Sequence, residues 1–293
     1  MKFNPYDLDH TIVHHIDEKA KLLEDAVQSD VIAYFGQISP QYFRPFRNFI
    51  EEVASKSSRN EKTLSIVLRT PGGSAETAER MVNVMRHHYQ TVNFIVPDIA
   101  MSAGTILCMA GDAMHMDYSS ALGPIDPQVM APDGSGYVAA LGYLDKVQEI
   151  TAKQALSPAD VVFLRSLDLA KLALYEQARD LSIDLLKKWL VDFKFKEWTH
   201  HRTTNVGTEV TASEKLQRAE EIATALSDHR RWHSHGRALS VDKLKALRLE
   251  IDDYSANETL RSAIRGYNDL LTAYTDRMGL PFIMHSHLSE TLG

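Results

Sequence analysis

The chain has 293 residues, 44% of them hydrophobic and 24% charged, which is ordinary for a soluble globular protein and enough for one large domain or a core with an appendage. Its net charge of −7 gives no general reason to expect a nucleic acid or an anionic membrane as partner. A single cysteine, Cys108, excludes an intrachain disulfide and fits a reducing, cytoplasmic setting, and no apolar run is long enough for a signal peptide or a transmembrane segment.

The first sixty residues predict a helix, a strand and a second helix. Residues 10–28 have helical character, and we expect residues 1–24 to form an arm that packs on a neighbouring subunit or remains a solvated amphipathic helix. The apolar run at residues 31–38 predicts a strand. The spacing of aromatic and aliphatic residues from 40 to 57 then predicts an amphipathic helix.

Residues 64–128 repeat the strand and helix order and contain three loops of unusual composition. An apolar run at 64–69 ends at Thr70-Pro71-Gly72-Gly73-Ser74, and a segment of helical period follows. A second run at 92–96 precedes Met101-Ser102-Ala103-Gly104-Thr105 at the start of an apolar helix, and a short strand at 114–118 precedes Gly123-Pro124-Ile125-Asp126. This order predicts an α/β fold whose loops lie at the same ends of adjacent parallel strands, where such sheets place their sites.

The first two loops contain the groups that acyl transfer requires. Gly72 and Gly73 have no Cβ, so their amides are able to approach a ligand closely. Ser102 opens a helix, where unpaired N–H groups and the helix dipole stabilise negative charge. Separately, a Pro-Gly-Gly segment is usually a turn and such a serine is usually an N-cap. The interval of about thirty residues between them, one βαβ repeat, favours a shared site.

These residues resemble the ClpP/crotonase superfamily over about residues 30–155. The similarity is greatest to the branch of signal-peptide peptidase A and the membrane-bound archaeal NfeD-type serine peptidases. Within that branch the chain resembles the serine dehydrogenase proteinases, including its later segments Arg231-Trp232-His233-Ser234-His235-Gly236-Arg237 and Ile251-Asp252-Asp253. The resemblance implies that Ser102 is the nucleophile and that the amides of Gly73 and Ala103 form the oxyanion hole. Gly72, Ser74 and Gly123 are the expected substrate-binding positions.

The general base departs from the family pattern. The loop at 121–126 has no histidine where ClpP has one, and alanine stands near residues 139–140 where the peptidase A branch has a lysine. Lys146 and Lys153 are the nearest lysines, although Lys146 lies about 10 Å further along the predicted helix. His235 is the rival candidate, with Asp252 or Asp253 to orient its ring. Another base, or none, also remains open.

After residue 137 the pattern becomes mainly helical. Residues 128–136 predict a hairpin or loop, residues 141–155 a helix, and Ser157-Pro158-Ala159-Asp160 begins an apolar helical pattern that extends to residue 190. Such apolar helices bury on the core or on another subunit, so we expect a homo-oligomer. His200 and His201 lie in a polar loop without further metal ligands, which argues against a zinc site.

A DNA-binding module is the competing hypothesis for residues 213–247, which predict two helices around a basic turn. Acidic residues on the first helix argue against it, and we expect no nucleic-acid partner. Residues 262–289 predict one more helix.

The sequence therefore predicts an N-terminal arm at 1–24, a ClpP/crotonase-like α/β core at 25–140 and an α-helical region at 141–293. The expected function is peptide hydrolysis by a serine nucleophile acting on a peptide or protein substrate. No cofactor is expected, since the chain has no Gly-x-Gly-x-x-Gly motif. The alternatives are crotonase-type acyl-thioester chemistry, which needs the oxyanion pocket but no nucleophilic serine, and an inactive scaffold.

Overall fold

A six-stranded sheet forms the centre of the chain in a computed structural model, which describes residues 5–130, 137–202 and 205–289. The described strands are β1 (Asp30–Gly36), β2 (Thr63–Arg69), β3 (Thr91–Val96), β4 (Ile99–Ala100), β5 (Ala113–Met116), β6 (Ala121–Leu122), β7 (Gln128–Met130), β8 (Tyr137–Ala139), β9 (Asp252–Asp253) and β10 (Phe282–His285). The described α-helices are α1 (Pro5–Val27), α2 (Pro40–Lys56), α3 (Ala75–His88), α4 (Ala103–Met109), α5 (Ala140–Thr151), α6 (Pro158–Ser166), α7 (Leu169–Trp189), α8 (Ala212–Ser227), α9 (His229–Trp232), α10 (Val241–Ala246) and α11 (Glu258–Met278). A π-helical segment, Leu190–Lys194, continues directly from α7.

The strands of the central sheet follow the order β10-β1-β2-β3-β5-β9, and all neighbours are parallel except β10, which is antiparallel to β1. The register aligns Ile32, Ile66, Phe94 and Met114 in one row across four strands, and all four side chains are buried. Strands that are apolar on both faces are typical of a parallel sheet covered by helices on both sides.

Helices bury the two faces of the sheet in separate apolar clusters. One cluster includes side chains from α2, α3, α4, α7 and α8, among them Phe46, Met81 and Leu107. The other includes Ile16 of α1 and Tyr267 of α11. Helix α1 therefore packs on α11 and on the sheet of its own chain.

A second, smaller sheet extends the loop side of the core. β4 pairs in parallel with β6, and Leu122 of β6 exchanges two backbone hydrogen bonds with Leu239, at 3.1 and 2.8 Å. Thr70 in turn pairs with Ala100 of β4. The segments that follow β2, β4 and β6 are thereby held side by side with the segment that precedes Leu239.

The predicted α/β class is confirmed, and each predicted strand and helix of residues 30–116 is present within a few residues of its expected bounds. Among the described residues, no helix is both long and apolar enough to cross a membrane. Two expectations need correction. The apolar pattern at 161–190 divides into α6 and α7, because Asp168 caps a new helix through the N–H groups of Ala170 and Lys171. The C-terminal region is not purely helical, because it supplies both edge strands of the central sheet, β9 and β10.

Candidate active site

Ser102 lies in a backbone conformation that side chains rarely adopt. Its φ is 51° and its ψ is −116°, in a tight turn closed by the hydrogen bond from Gly104 N–H to Met101 O at 2.8 Å. A residue other than glycine in such a conformation costs on the order of 1–3 kcal/mol, and such strain is concentrated at functional sites. The surrounding hydrogen bonds hold the turn in place, including the 3.0 Å bond from Met101 N–H to Thr70 O.

The Pro-Gly-Gly bend packs directly on this turn. Gly72 has φ 103°, and a Cβ at that position would lie 2.7 Å from Met101 O and 2.8 Å from the Ser102 Cβ. The same Cβ would lie 3.4 Å from the amide nitrogen of Ala103. Only glycine allows the bend and the serine turn to approach this closely. The structure therefore brings Gly72, Ser102 and Ala103 together, as the two-loop prediction requires.

Gly73 is held by a parallel bridge to Ile38. Ile38 N–H donates to Gly72 O at 2.8 Å, and Ser74 N–H donates to Ile38 O at 2.9 Å. Because amides alternate in direction along an extended chain, the N–H of Gly73 points away from Ile38. Within the described part of the chain, neither this N–H nor that of Ala103 has an acceptor. Both donors and the Ser102 hydroxyl, which is also without a partner there, are thus available to a ligand.

The other two expected substrate-binding positions have structural surroundings of their own. The Ser74 hydroxyl caps α3 by accepting from Thr77 N–H at 2.9 Å and donates to Glu76 at 2.7 Å. Gly123 lies against Met101, whose Cε would be 2.7 Å from a Cβ at that position, and its N–H donates to Ala100 O at 3.3 Å. Gly123 thus borders the serine turn, whereas the Ser74 hydroxyl is engaged in a helix cap.

His235 forms a pair with a buried carboxylate. Its Nδ1 lies 3.0 Å from Oδ1 of Asp126, which is 1% exposed, while the imidazole is 22% exposed. Asp126 lies four residues after Leu122 and His235 four residues before Leu239, so the antiparallel bridge between Leu122 and Leu239 holds their two segments next to each other. A carboxylate at Nδ1 fixes the orientation of a histidine ring and leaves Nε2 to exchange protons.

The prediction that Asp252 or Asp253 orients the His235 ring is wrong. Asp252 Oδ2 lies 3.9 Å from Nδ1 of His115, and Asp253 accepts from Lys245 at 3.0 Å. Both belong to β9 at the far edge of the central sheet. The family-like segment at 251–253 therefore contributes to the sheet edge, and the carboxylate that serves His235 comes from the loop after β6.

The two candidate lysines lie on the surface in ion pairs. Lys146 on α5 is 52% exposed and donates to Glu149 at 3.1 Å, and Lys153 donates to Asp160 at 2.8 Å. Neither amine therefore lies buried beside the serine turn, as a lysine base would need to. Residues 131–136, which include most of the predicted turn, lie outside the described residues.

One titratable residue was not anticipated from the sequence. Lys194, in the π-helical segment, is 8% exposed, and burial lowers its pKa to about 8. Lys194 lies near Cys108. Cys108 is six residues after Ser102 and therefore about 9 Å from it along the axis of α4. The distance of Lys194 from the serine turn makes it a separate feature of the molecule. Burial also raises the pKa of the Cys108 thiol to about 12, as expected for a packing residue.

No cluster of metal ligands occurs among the residues with described positions, and His201 instead pairs with Glu214 at 3.1 Å. In the basic turn at 228–232, Arg230 donates to Asp145 at 2.7 Å and Arg231 stacks on Trp232.

Comparison with known proteins identifies one matching family and two curated relatives. The model of a family described as ClpP-like SDH-type serine proteinases matches residues 50–210, more than half of the chain. The uncharacterized proteins MJ0137 and MJ1495 of Methanocaldococcus jannaschii are 27% identical over 199 residues and 26% identical over 156 residues. These matches cover 68% and 50% of this chain, and 57% and 49% of the relatives, so the chain spans about half the length of the curated relatives it matches.

Two solved structures of the 1510-N membrane-bound stomatin-specific protease are also similar. A serine-to-alanine mutant superposes with a TM-score of 0.45 at 16% identity, covering 78% of this chain and 80% of the protease. A lysine-to-alanine mutant in complex with a substrate peptide gives a TM-score of 0.44 at 18% identity, covering 78% and 76%.

Proposed function

The chain belongs to the ClpP-like SDH-type serine proteinases, and from this membership we propose that it hydrolyses peptide bonds with Ser102 as nucleophile. The observation that carries the proposal is the strained Ser102 turn packed against the Pro-Gly-Gly bend, beside two backbone N–H groups without described acceptors. A hydroxyl held rigidly beside such donors is the arrangement that acyl transfer requires.

In the proposed mechanism the Ser102 hydroxyl attacks the carbonyl carbon of the scissile peptide bond. The oxyanion of the tetrahedral intermediate accepts hydrogen bonds from Gly73 and Ala103, which are fixed before the substrate arrives and need no reorganisation during the reaction. The amine then leaves with a proton, and water hydrolyses the acyl-enzyme. The α4 dipole, positive at Ala103, supports the same negative charge.

His235 is the proposed general base, oriented by Asp126. The support is topological. β4 is parallel to β6, and Leu239 pairs antiparallel to β6, so Ser102 and Asp126, which follow β4 and β6, and His235, which precedes Leu239, lie beyond the same end of the small sheet. The Asp126 carboxylate would stabilise the imidazolium formed when Nε2 takes the serine proton. Lys146 is the alternative base and would first have to leave its ion pair with Glu149.

A peptide or protein is the proposed substrate, and a homo-oligomer in a cytoplasmic setting remains part of the proposal. Three apolar side chains of α6 and α7 support the assembly, since Val162, Leu169 and Leu174 are 69%, 76% and 61% exposed. Large exposed apolar side chains that form a patch are typical of protein interfaces.

Covalent labelling tests the proposal and separates it from its alternatives. We expect a fluorophosphonate to add one phosphonyl group to the native protein, seen by intact mass, and none to Ser102→Ala. Ser119→Ala is the matched control, because that hydroxyl already donates to Asp117 at 2.6 Å, and it should label as the native protein does. Native protein that fails to label would favour the scaffold or the thioester enzyme. Turnover of an acyl-thioester by Ser102→Ala would identify the latter.

A further inference from the structure

A cavity of about 770 Å³ lies beside the π-helical segment, and its lining does not include Ser102. Phe195, Trp198 and Leu249 form its apolar wall, with the two aromatic rings packed edge to face at 5.5 Å. Lys194 lines its buried side. The volume is within the range of pockets that hold small organic ligands, and an apolar wall with a few polar groups is their usual composition.

The charges around this cavity do not cancel. Each carboxylate in its lining already has a side-chain partner: Glu214 has His201 at 3.1 Å, Glu221 has Arg218 at 2.6 Å, and Glu250 has Arg202 at 2.8 Å. Lys245 pairs with Asp253 at 3.0 Å. Two lining cations, Lys194 and Arg248, have no ion-pair partner among the described residues, so the local excess is positive.

Lys194, one source of the excess positive charge, differs from an ordinary surface lysine. Its Nζ is inaccessible to solvent and makes no hydrogen bond within the described part of the chain. Asp112 and Asp252 influence it only from beyond ion-pair distance, and Asp112 is engaged by Arg86 at 2.7 Å. An unpaired buried ammonium is costly, and native proteins rarely retain one without a function.

The backbone beside the cavity is irregular in two places. Lys194 lies in a π-helical turn, a feature that is rare and frequently found at functional sites. Arg248 has φ 62°, a conformation that costs energy for a long side chain. Both departures occur at the two cations that lack partners.

We propose that this cavity binds a small organic anion, with a carboxylate or phosphate on Arg248 and an aromatic or apolar group against Trp198. Because the Lys194 Nζ is inaccessible to solvent, this binding includes a turn of the Lys194 side chain toward the bound anion. The acid group of the ligand would supply the ion-pair partner that Lys194 and Arg248 do not have among the described residues. The lowered pKa of Lys194 agrees with this, because a nearby anion would raise that pKa again toward the ordinary lysine value. This binding site does not depend on the proposed hydrolysis at Ser102.

Titration with simple probes tests the site. We expect saturable binding of phenyl phosphate or phenylacetate by calorimetry, the tighter of the two identifying the acid group, and much weaker binding of phenol or inorganic phosphate. Lys194→Met and Arg248→Gln should each weaken binding at least about tenfold. Arg230→Gln, a surface arginine paired with Asp145, should not. Absence of saturable binding by both probes, or equal affinity in all three variants, would overturn the proposal.

A labelling experiment on the native chain tests the same site without relying on a variant's folding. Pyridoxal 5′-phosphate combines an aldehyde with a phosphate. The Lys194 amine would add to the aldehyde carbon with loss of water, and borohydride would then deliver hydride to the resulting imine carbon. Peptide mapping should show Lys194 labelled at least about tenfold faster than Lys146 at pH 8, with protection by phenyl phosphate. Equal labelling, or no protection, contradicts the proposal.

Discussion

Two regions of the molecule hold polar groups without partners among the described residues, and the two are arranged for different kinds of charge. At the start of α4, the Ser102 hydroxyl and the N–H groups of Gly73 and Ala103 offer several neutral donors. At the cavity beside the π-helical segment, Lys194 and Arg248 offer positive charges near an apolar wall. Neutral donors suit a charge that develops briefly during a reaction, whereas full charges suit an anion that stays bound.

In both regions the backbone departs from regular geometry at a residue to which a function is proposed. Ser102 has a positive φ, and Lys194 lies in a π-helical turn. The central sheet and its two apolar clusters provide the stability that tolerates these local costs. The following predictions test whether the two regions are separate sites with separate chemistry.

The largest effect should come from removing the nucleophile. Ser102→Ala should reduce peptide hydrolysis by at least about a thousandfold, because the covalent step is lost. Phenyl phosphate affinity, which belongs to the other region, should be unchanged. A casein-type peptide assay and a calorimetric titration on the same preparation measure both. A variant that retains full hydrolysis would remove Ser102 from the mechanism.

The next effect concerns the proton acceptor. His235→Ala should lower hydrolysis by about 10²- to 10⁴-fold, the usual contribution of a general base, while Lys146→Ala should retain nearly native activity. Asp126→Asn should fall between them, because the ring would lose its orienting carboxylate but remain present. The opposite order for His235→Ala and Lys146→Ala would reassign the base to the lysine.

A pH-dependent stability change should distinguish the Lys194 region. Because the pKa of Lys194 is lowered to about 8 in the folded state, the charge-burial cost is present in full below pH 8 and disappears as pH rises to the ordinary lysine value. Lys194→Met should therefore raise the free energy of unfolding at pH 7 by up to about 3 kcal/mol and lose this advantage above about pH 10.5. The neighbouring Cys108 thiol, with its pKa raised to about 12, stays neutral across this window.

Urea unfolding of both proteins at several pH values measures this difference. Asp112, Asp252 and Glu250 are the carboxylates whose charges act on Lys194, and both proteins retain them. Lys187→Met is the control, because its amine is engaged by Glu220 at the surface and its pKa is raised. A gain for Lys194→Met that does not change with pH would show that the ammonium is not destabilising.

The smallest effect concerns the strained serine turn. Ser102→Gly should raise the free energy of unfolding by about 1 kcal/mol over Ser102→Ala, because glycine adopts φ 51° without strain. Ala110→Gly, at the C-cap of the same helix with an ordinary φ of −80°, should instead lower it. Equal stability of the two Ser102 variants would mean that the turn carries no appreciable strain.

The sequence predicted the core and the serine loop well because their signals are local. Apolar runs of strand length and the glycines at 72 and 73 are each readable within a few residues. The Asp126 partner of His235 was missed because 109 residues separate them and only the small-sheet register brings them together. β9 and β10 were missed because strands of two and four residues carry little pattern, and a π-helical turn has no sequence signature.

The most direct test of the account is a crystal structure of the native protein after reaction with a peptidyl fluorophosphonate. We expect the phosphorus to be bonded to Ser102 Oγ, with one phosphonyl oxygen about 3 Å from the amide nitrogens of both Gly73 and Ala103. A phosphonyl group on another residue, or an oxygen on Ser102 that contacts neither amide, would contradict the account.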